Sequence, residues 1–426
     1  MNISVIGLGK LGCPLATWIA SKGHRVIGVD VNQDFIGMVN IGIAPVQEPG
    51  VQPLLEEMVS SGNLVATDDI QGAVRETEIT FIVVPTPSVD DGAFSLRFVR
   101  GAAESIALAL KEKDEYHLVV IVSTVMPGHT QQIVDLLERL SGKNCGPHFG
   151  VCYNPEFIAL GSVLSDLSCP DFVLIGQSDN TAGKFLTKAY EELYDGADQF
   201  VPFHVTSFIN AEIAKLALNC FVTMKISYAN MLSRLCEHLP GADVDEVTGA
   251  IGLDSRIGSK YLKGGTPFGG PCFPRDNKAF TEICFPRPPS VLWDLPVATR
   301  HENDQMKLHI FDRVHEYSRP GDVVGILGMA YKPGTSITEE SLGVALEKFL
   351  RADDRCKVMT WDPLAECTDS LSDTLAHADV IVVTLPFKEL ENVTFQGQVV
   401  IDCWRVVDKD QLGKYTTYVP IGRHHR

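Results

Sequence analysis

The chain has 426 residues, with 36 Lys and Arg against 54 Asp and Glu and a formal net charge of −18. At roughly 150 residues per domain, that length allows two or three domains with ample core and excludes a lone small module. The acidic balance argues against nucleic acid as a partner, yet an anionic small molecule can still be held where a few cations and backbone N–H groups converge. Eleven cysteines, an odd number, are scattered without a Cys-x-x-Cys pair, which fits a reducing compartment and no metal site. The opening Met1-Asn2-Ile3-Ser4-Val5-Ile6-Gly7 enters a strand-like run at once, and no apolar run nears the ~18 residues of a membrane span. A cytoplasmic protein with no membrane partner is expected.

From the start to residue 206, Val- and Ile-rich runs alternate with segments of helical periodicity, the pattern of a parallel sheet covered on both faces. The predicted strands are Ile3–Ile6, Arg25–Val29, Ile79–Val84, Leu118–Val122, Phe149–Cys152 and Phe172–Ile175, with helices such as Phe98–Lys111 and Thr130–Leu140 between them. Between Ser207 and Leu239, Ile209, Ile213, Leu216, Cys220, Met224, Tyr228, Met231 and Leu235 recur every three or four positions without Pro or Gly. The spacing predicts one helix roughly 50 Å long at about 1.5 Å per residue, a spine or an oligomer contact. A Gly- and Pro-rich stretch, Lys263 to Pro289, leads into a second alternation, with strands at Val323–Leu327, Lys357–Trp361, Val380–Leu385 and Val399–Asp402 and a helix at Leu342–Leu350. The expected architecture is two Rossmann-like, doubly wound α/β domains, 1–206 and 319–426, joined by a long central helix within a helical middle domain, 207–318.

Gly7-Leu8-Gly9-Lys10-Leu11-Gly12 lies between the first strand and a helix beginning near Pro14, the context in which G-x-G-x-x-G has a mechanism. Glycines allow a tight turn and let a pyrophosphate approach the helix N-terminus, where N–H groups and the dipole favour negative charge. Asp30, ending the second strand, can accept bonds from a ribose 2′-hydroxyl and would repel a 2′-phosphate, which selects NAD over NADP. Three further loops end strands in this domain: Pro85-Thr86-Pro87, Ser123-Thr124-Val125-Met126-Pro127-Gly128 and Asn154-Pro155-Glu156-Phe157. Ligands of doubly wound sheets bind beyond such strand ends, so Thr86, Ser123 and Thr124 are candidate cofactor contacts, although each loop read singly is an ordinary turn.

On the long helix, Glu212, Lys215 and Asn219 share a face; spacing alone reads as a solvated Glu–Lys pair. In Phe268-Gly269-Gly270-Pro271-Cys272-Phe273-Pro274-Arg275-Asp276, glycines permit close approach of a ligand and prolines fix the turn. Cys272 beside Arg275 and Asp276 can serve as a nucleophile, the alternative being a buried small hydrophobe.

Taken in order with Arg256-Ile257-Gly258 and Gly328-Met329-Ala330-Tyr331-Lys332-Pro333, these motifs resemble the UDP-glucose/GDP-mannose dehydrogenase family along essentially the whole chain. The resemblance implies a four-electron oxidation of a sugar C6 alcohol to a carboxylate with two successive NAD⁺, a UDP-hexose such as UDP-glucose being the expected substrate. It implies a thiohemiacetal and then a thioester on Cys272, with Lys215 and Asn219 stabilising the oxygen at C6, Asp276 positioning a water, and Glu156 assisting thioester hydrolysis. Phe157, Tyr261, Phe268, Gly269, Gly270 and Arg275 would line the substrate, Lys332 would meet the diphosphate, and Arg256 would reach a neighbouring subunit of a homodimer.

Three positions depart from the family pattern. Arg275 stands where many members carry Lys, so an electrostatic but no acid/base role survives there. Glu339 stands where relatives often place an arginine that contacts the cofactor phosphates. Asp402-Cys403-Trp404-Arg405 loosely matches a segment whose arginine approaches the substrate. UDP-N-acetylhexosamine and GDP-mannose 6-dehydrogenases remain open as alternatives, since such sugars differ by contacts that no motif reveals. A two-electron hydroxyacid-type dehydrogenase explains neither the third domain nor the cysteine loop, and a non-catalytic NAD-sensing or scaffolding protein has only Glu339 in its favour.

Overall fold

A computed structural model describes residues 1–196, 199–284, 294–367 and 369–424. Contacts divide the chain into two compact units, Met1–Leu216 and Ala217–Arg426. In chain order the first unit forms β1 (Asn2–Ile6), α1 (Gly12–Ser21), β2 (Arg25–Val29), α2 (Gln33–Asn40), α3 (Val51–Ser60), β3 (Leu64–Thr67), α4 (Ile70–Glu76) and β4 (Ile79–Ile82). It continues through α5 (Arg97–Glu112), β5 (His117–Ile121), α6 (His129–Ser141), β6 (Phe149–Tyr153), α7 (Val163–Ser168), β7 (Val173–Gln177), α8 (Asn180–Leu193) and β8 (Phe203–Ser207). Helix α9 (Phe208–Glu237) follows, and the boundary between the units falls within it.

The eight strands are ordered β3-β2-β1-β4-β5-β6-β7-β8. Successive residues of one strand serve opposite cores: Val5, Leu118 and Val120 belong to one cluster, Ile6, Val119 and Ile121 to the other. That is the period-two signature of a sheet covered on both faces. Two features differ from the sequence expectation. Strands β3 and β8 are additional edge strands, and β7 runs antiparallel to β6 in a sheet that is otherwise parallel. Apolar runs report burial and carry no information on strand direction.

The second unit adds α10 (Val244–Gly252), α11 (Phe273–Cys284), α12 (Asp294–Tyr317), β9 (Val323–Leu327), α13 (Leu342–Asp353), β10 (Lys357–Trp361), α14 (Leu371–His377), β11 (Val380–Val383), β12 (Val399–Asp402) and β13 (Thr417–Pro420). Its five-stranded parallel sheet has the order β10-β9-β11-β12-β13. The segments that the sequence separates at residue 319 lie together in this unit. Buried Glu237 of α9 accepts from His309 Nε2 at 3.0 Å and from the Gly422 amide at 2.9 Å, tying two helices to the chain after β13.

Helix α9 is amphipathic in the inverse sense to a surface helix. Glu212, Lys215, Asn219, Thr223, Ser227, Asn230, Ser233 and Glu237 are buried, whereas Ile209, Ile213, Phe221, Tyr228, Met231 and Leu235 are each at least 40% exposed. The expected apolar stripe is present and mostly uncovered in the single chain.

At the amino ends of the first sheet's strands, buried Lys113 donates from Nζ to Val74 O at 2.7 Å and to Thr77 O. His117 Nδ1 lies 3.1 Å from Lys113 Nζ and 3.0 Å from the Thr77 carbonyl, and its Nε2 lies 2.8 Å from Thr80 Oγ1. Burial first, and Lys113 second, push the His117 imidazole down from 6.5 to about 3. The unfolded chain therefore takes up a proton near pH 6.5 that the folded chain refuses until about pH 3. This group's contribution is complete above pH 6.5 and declines by up to about 1.4 kcal/mol per pH unit as the pH falls through that window. Urea unfolding between pH 7.5 and pH 4 should show this slope in the native chain and a shallower one in His117→Asn.

Candidate active site

Gly7 leaves β1 at φ +100°, and a Cβ there would lie 2.4 Å from Val83 O; a Cβ on Gly12 would lie 1.8 Å from Gly7 O. Both glycines are required by the turn itself. A Cβ on Gly9 would meet nothing within 4 Å, so this glycine keeps space open beside an α1 N-terminus that no side chain caps. Lys10 is exposed and Leu11 half-buried on the same turn. Asp30 holds the turn from across the mouth, Oδ2 accepting from the Leu8 amide at 2.7 Å and Oδ1 from the Asn32 amide at 2.9 Å. Each oxygen retains a lone pair for a ribose hydroxyl. Open space, an uncapped helix start and a carboxylate at the end of β2 fit a dinucleotide.

The hydroxyls expected nearby first serve the protein. Thr86 Oγ1 donates to Thr124 O at 2.7 Å, and Ser123 Oγ donates to Val84 O at 2.7 Å while accepting from the Val84 amide at 3.0 Å. They stitch together the loops after β4 and β5, and only their lone pairs face outward chemistry.

Near the end of the first unit, Glu212 overturns the solvated-pair reading. It is fully buried and accepts from the amides of Gly128 at 2.6 Å and Thr130 at 2.8 Å, closing the start of α6. One turn on, Lys215 Nζ donates to the Glu156 carbonyl at 2.6 Å and lies 4.7 Å from the Phe157 ring centre. Phe157 leans on Phe172 with ring centres 4.9 Å apart. Burial pushes the Glu156 carboxyl up to about 7, with the neighbouring Lys215 charge opposing. A carboxyl that titrates near neutrality suits general-base work.

In the second unit, Asp276 is 1% exposed. Asn219 Nδ2 donates to its Oδ2 at 2.6 Å, and Arg275 Nε and a terminal guanidinium nitrogen each donate to Oδ1 at 3.2 Å. Its amide donates to the Cys272 carbonyl at 2.8 Å, the first i to i+4 bond of α11. Exposed Cys272 thus stands at the positive end of that helix, where negative charge on sulfur is favoured. Arg275 in place of Lys supplies a planar fork that fits the carboxylate.

The glycines before Cys272 are dictated by contact. A Cβ on Gly269 would lie 2.3 Å from Glu340 O, and one on Gly270, at φ +83°, would lie 2.6 Å from the Tyr331 ring. The Gly270 amide donates to the Glu339 carbonyl at 2.9 Å, so Glu339 supports the cysteine loop through its backbone while its side chain is exposed. Phe268 is clamped by Asn303, which accepts from its amide at 2.7 Å and donates to its carbonyl at 3.0 Å. Tyr261, with φ 60°, sets its ring edge-on to Phe273 at 6.3 Å. Lys332 Nζ lies 5.9 Å from the Tyr331 ring centre. Arg256 is largely exposed and paired with Asp254 at 2.6 Å, on a turn whose Ile257 and Gly258 carbonyls accept from Lys225 at 3.1 Å.

Arg405 corrects a sequence expectation. Its side chain is 0% exposed and all five N–H groups are engaged: two with Asp245 at 2.7 and 2.8 Å, and one each with the carbonyls of Cys403, Ile421 and Gly264. No donor is left for a substrate, and the residue instead fixes the loop that leads to Phe268. Sequence reasoning also missed Asn230 and Asn303, which hold Gly265, Thr266 and Phe268. The signal was available, because Asn is a poor residue inside a helix unless its amide is in use.

Residues 1–195 match the NAD binding domain of the UDP-glucose/GDP-mannose dehydrogenase family, and residues 209–288 match its central domain. The chain is 34% identical to UDP-glucose 6-dehydrogenase AglM of Haloferax volcanii, over 98% of this chain and 100% of that protein. It is 33% identical to the GDP-mannose 6-dehydrogenase of Pseudomonas aeruginosa, over 82% of this chain and 78% of that protein. Among solved structures, a UDP-glucose dehydrogenase from Pyrobaculum islandicum superposes with a TM-score of 0.89 at 32% identity, covering 99% of this chain and 98% of that one. The chain belongs to the UDP-glucose/GDP-mannose dehydrogenase family and is an NAD-dependent nucleotide-sugar dehydrogenase.

Because Arg405 is structural, Arg405→Ala should cost about 2–3 kcal/mol, discounted from a fully buried pair because Asp245 is partly exposed. Urea unfolding should show that loss, while NAD affinity by fluorescence titration stays at the native value.

Proposed function

We propose that the chain oxidises the C6 alcohol of a UDP-hexose, UDP-glucose foremost, to the uronic acid, with Cys272 as covalent nucleophile. The observation that carries this reading is the buried Asp276, gripped by Asn219 and Arg275 one helical turn from an exposed cysteine at a helix start. UDP-glucose is favoured because a UDP-glucose 6-dehydrogenase is matched at 34% identity over 100% of its length and a solved UDP-glucose dehydrogenase at 32% over 98% of its chain.

Residues 1–206 hold NAD, with Gly7, Gly9 and Gly12 giving room, the α1 start facing the pyrophosphate and Asp30 the ribose. Bound there, the nicotinamide accepts a hydride in each of two oxidations. Lys215 and Asn219 stabilise the oxygen of the C6 group as its O–H proton leaves through a water ordered by Asp276. Cys272 Sγ then bonds to the aldehyde carbon, whose oxygen takes a proton to give a thiohemiacetal. Loss of a hydride from carbon and a proton from oxygen leaves the thioester. Water, giving a proton to Glu156, adds to that carbon; the C–S bond breaks, and the acid and the Cys272 thiolate are released.

Residues 207–318 form the central segment and residues 319–426 bind the nucleotide, with Lys332 toward the diphosphate. The uncovered apolar stripe of α9 is covered by a second copy of the chain, and Arg256, free of further burial in its own chain, serves the neighbour's site. Cys169 and Cys272 are exposed, as a reducing cytoplasm permits.

Cys272→Ser should abolish acid formation while binding NAD with native affinity, and Lys215→Ala should lower kcat by about 10²–10³-fold. Product analysis across UDP- and GDP-sugars checks both. Acid formed by Cys272→Ser, or preferred turnover of GDP-mannose, would contradict the reading.

A further inference from the structure

Tyr190 is a second polar residue beside Glu156 that the reaction above does not use. It lies on α8, is 2% exposed, and its phenol oxygen meets two groups: Asn154 Oδ1, at the shorter distance, and Glu156 Oε1 at 3.4 Å. A phenol has one proton to donate. Its direction is fixed by the amide beyond, because Asn154 Nδ2 donates to the Leu174 carbonyl at 2.9 Å, and a carbonyl can only accept. The Asn154 oxygen is therefore turned to Tyr190 and must receive its proton. What Tyr190 then presents to Glu156 is a lone pair.

We propose that Tyr190 is a positioning residue for Glu156: it gives its only proton to Asn154, accepts the proton of the Glu156 carboxyl, and so favours the neutral acid over the carboxylate. A hydrogen bond that only the neutral form can make opposes ionisation. The other groups facing this corner are Lys215 from α9, whose charge favours the carboxylate, Tyr194, the residue after α8, and Cys152 from β6, next to Tyr190. Burial, with Glu156 beside it, raises the Tyr190 phenol well above its ordinary value, so its proton is retained throughout the working range. Tyr190 and Lys215 thus act on one carboxyl in opposite directions and set it near neutrality, where it can take a proton from the attacking water and release it again.

The inference rests on the proposed role of Glu156 only in its catalytic consequence, and the test separates the two. Infrared titration follows the carboxyl C=O band that is lost in Glu156→Gln. In Tyr190→Phe the midpoint of that band should fall by about half to one pH unit, the scale of one neutral hydrogen bond. Asn154→Ala, which frees the phenol proton to turn to Glu156, should lower it as well and serves if Tyr190→Phe does not fold. A midpoint in Tyr190→Phe that stays or rises, or one unmoved in Asn154→Ala, overturns the proposal. The acid limb of acid formation against pH should shift with the band. If the band moves and that limb does not, Tyr190 still positions Glu156, and the hydrolytic role of Glu156 is what fails.

Discussion

The buried carboxylate of Glu212 holds the first turns of α9, which lie in the first unit, against the start of α6. The first amides of a helix have no partner within it, and at α6 two of them, from Gly128 and Thr130, are taken by Glu212. A negative charge at a helix N-terminus is favourable, and the two bonds work against a burial that leaves this carboxyl raised above its ordinary value. One turn on, within the same unit, Lys215 donates to the Glu156 carbonyl. Further along α9, Asn219, Ser227, Asn230 and Glu237 are buried with partners in place, while Ile209, Ile213, Tyr228, Met231 and Leu235 are exposed.

Backbone groups perform much of the positioning at which the family pattern places side chains. Glu339 holds the cysteine loop through its carbonyl, so the identity of its side chain is not tested by that contact. The second sheet shows how such a backbone grip can exclude a ligand. Asp362, after β10, accepts from Met329 and Ala330 as Asp30 accepts from Leu8, but it also accepts from Leu364 and Ala365. Four amides saturate it, whereas Asp30 keeps lone pairs for a ribose. Equivalent acids at two strand ends thereby have different capacities.

What was legible in the sequence was whatever depends on continuous burial. The central strands stand out as unbroken Val and Ile runs. The missed strands β3, β8 and β13 are all edges, and the Phe203–Ser207 strand is mostly exposed. Strands β3 and β13 have four residues each, too few for an alternation to stand out. The reversal of β7 could not be read, since periodicity is the same in either direction. Motifs placed Lys215 and Asn219 on the long helix and Cys272 and Glu156 on loops, because glycine turns and helix spacing are local, whereas Asp276, read as part of the cysteine loop, lies in α11. Arg405 misled for the opposite reason: its five partners come from residues 245, 264, 403 and 421. Tyr190 was invisible because, within an amphipathic helix, it has the same pattern as any core aromatic.

The account turns on one cysteine joining two oxidations without release of the aldehyde. In the proposed reaction, burial of Asp276, the helix start at Cys272 and a Glu156 carboxyl near neutrality are each assigned to a different step. The most direct measurement is the ratio of NADH formed to uronic acid formed when the purified chain is given NAD⁺ and limiting UDP-glucose, with the product identified by mass. The account predicts two NADH per acid and no free aldehyde at any time. One NADH per sugar with accumulating aldehyde would contradict it.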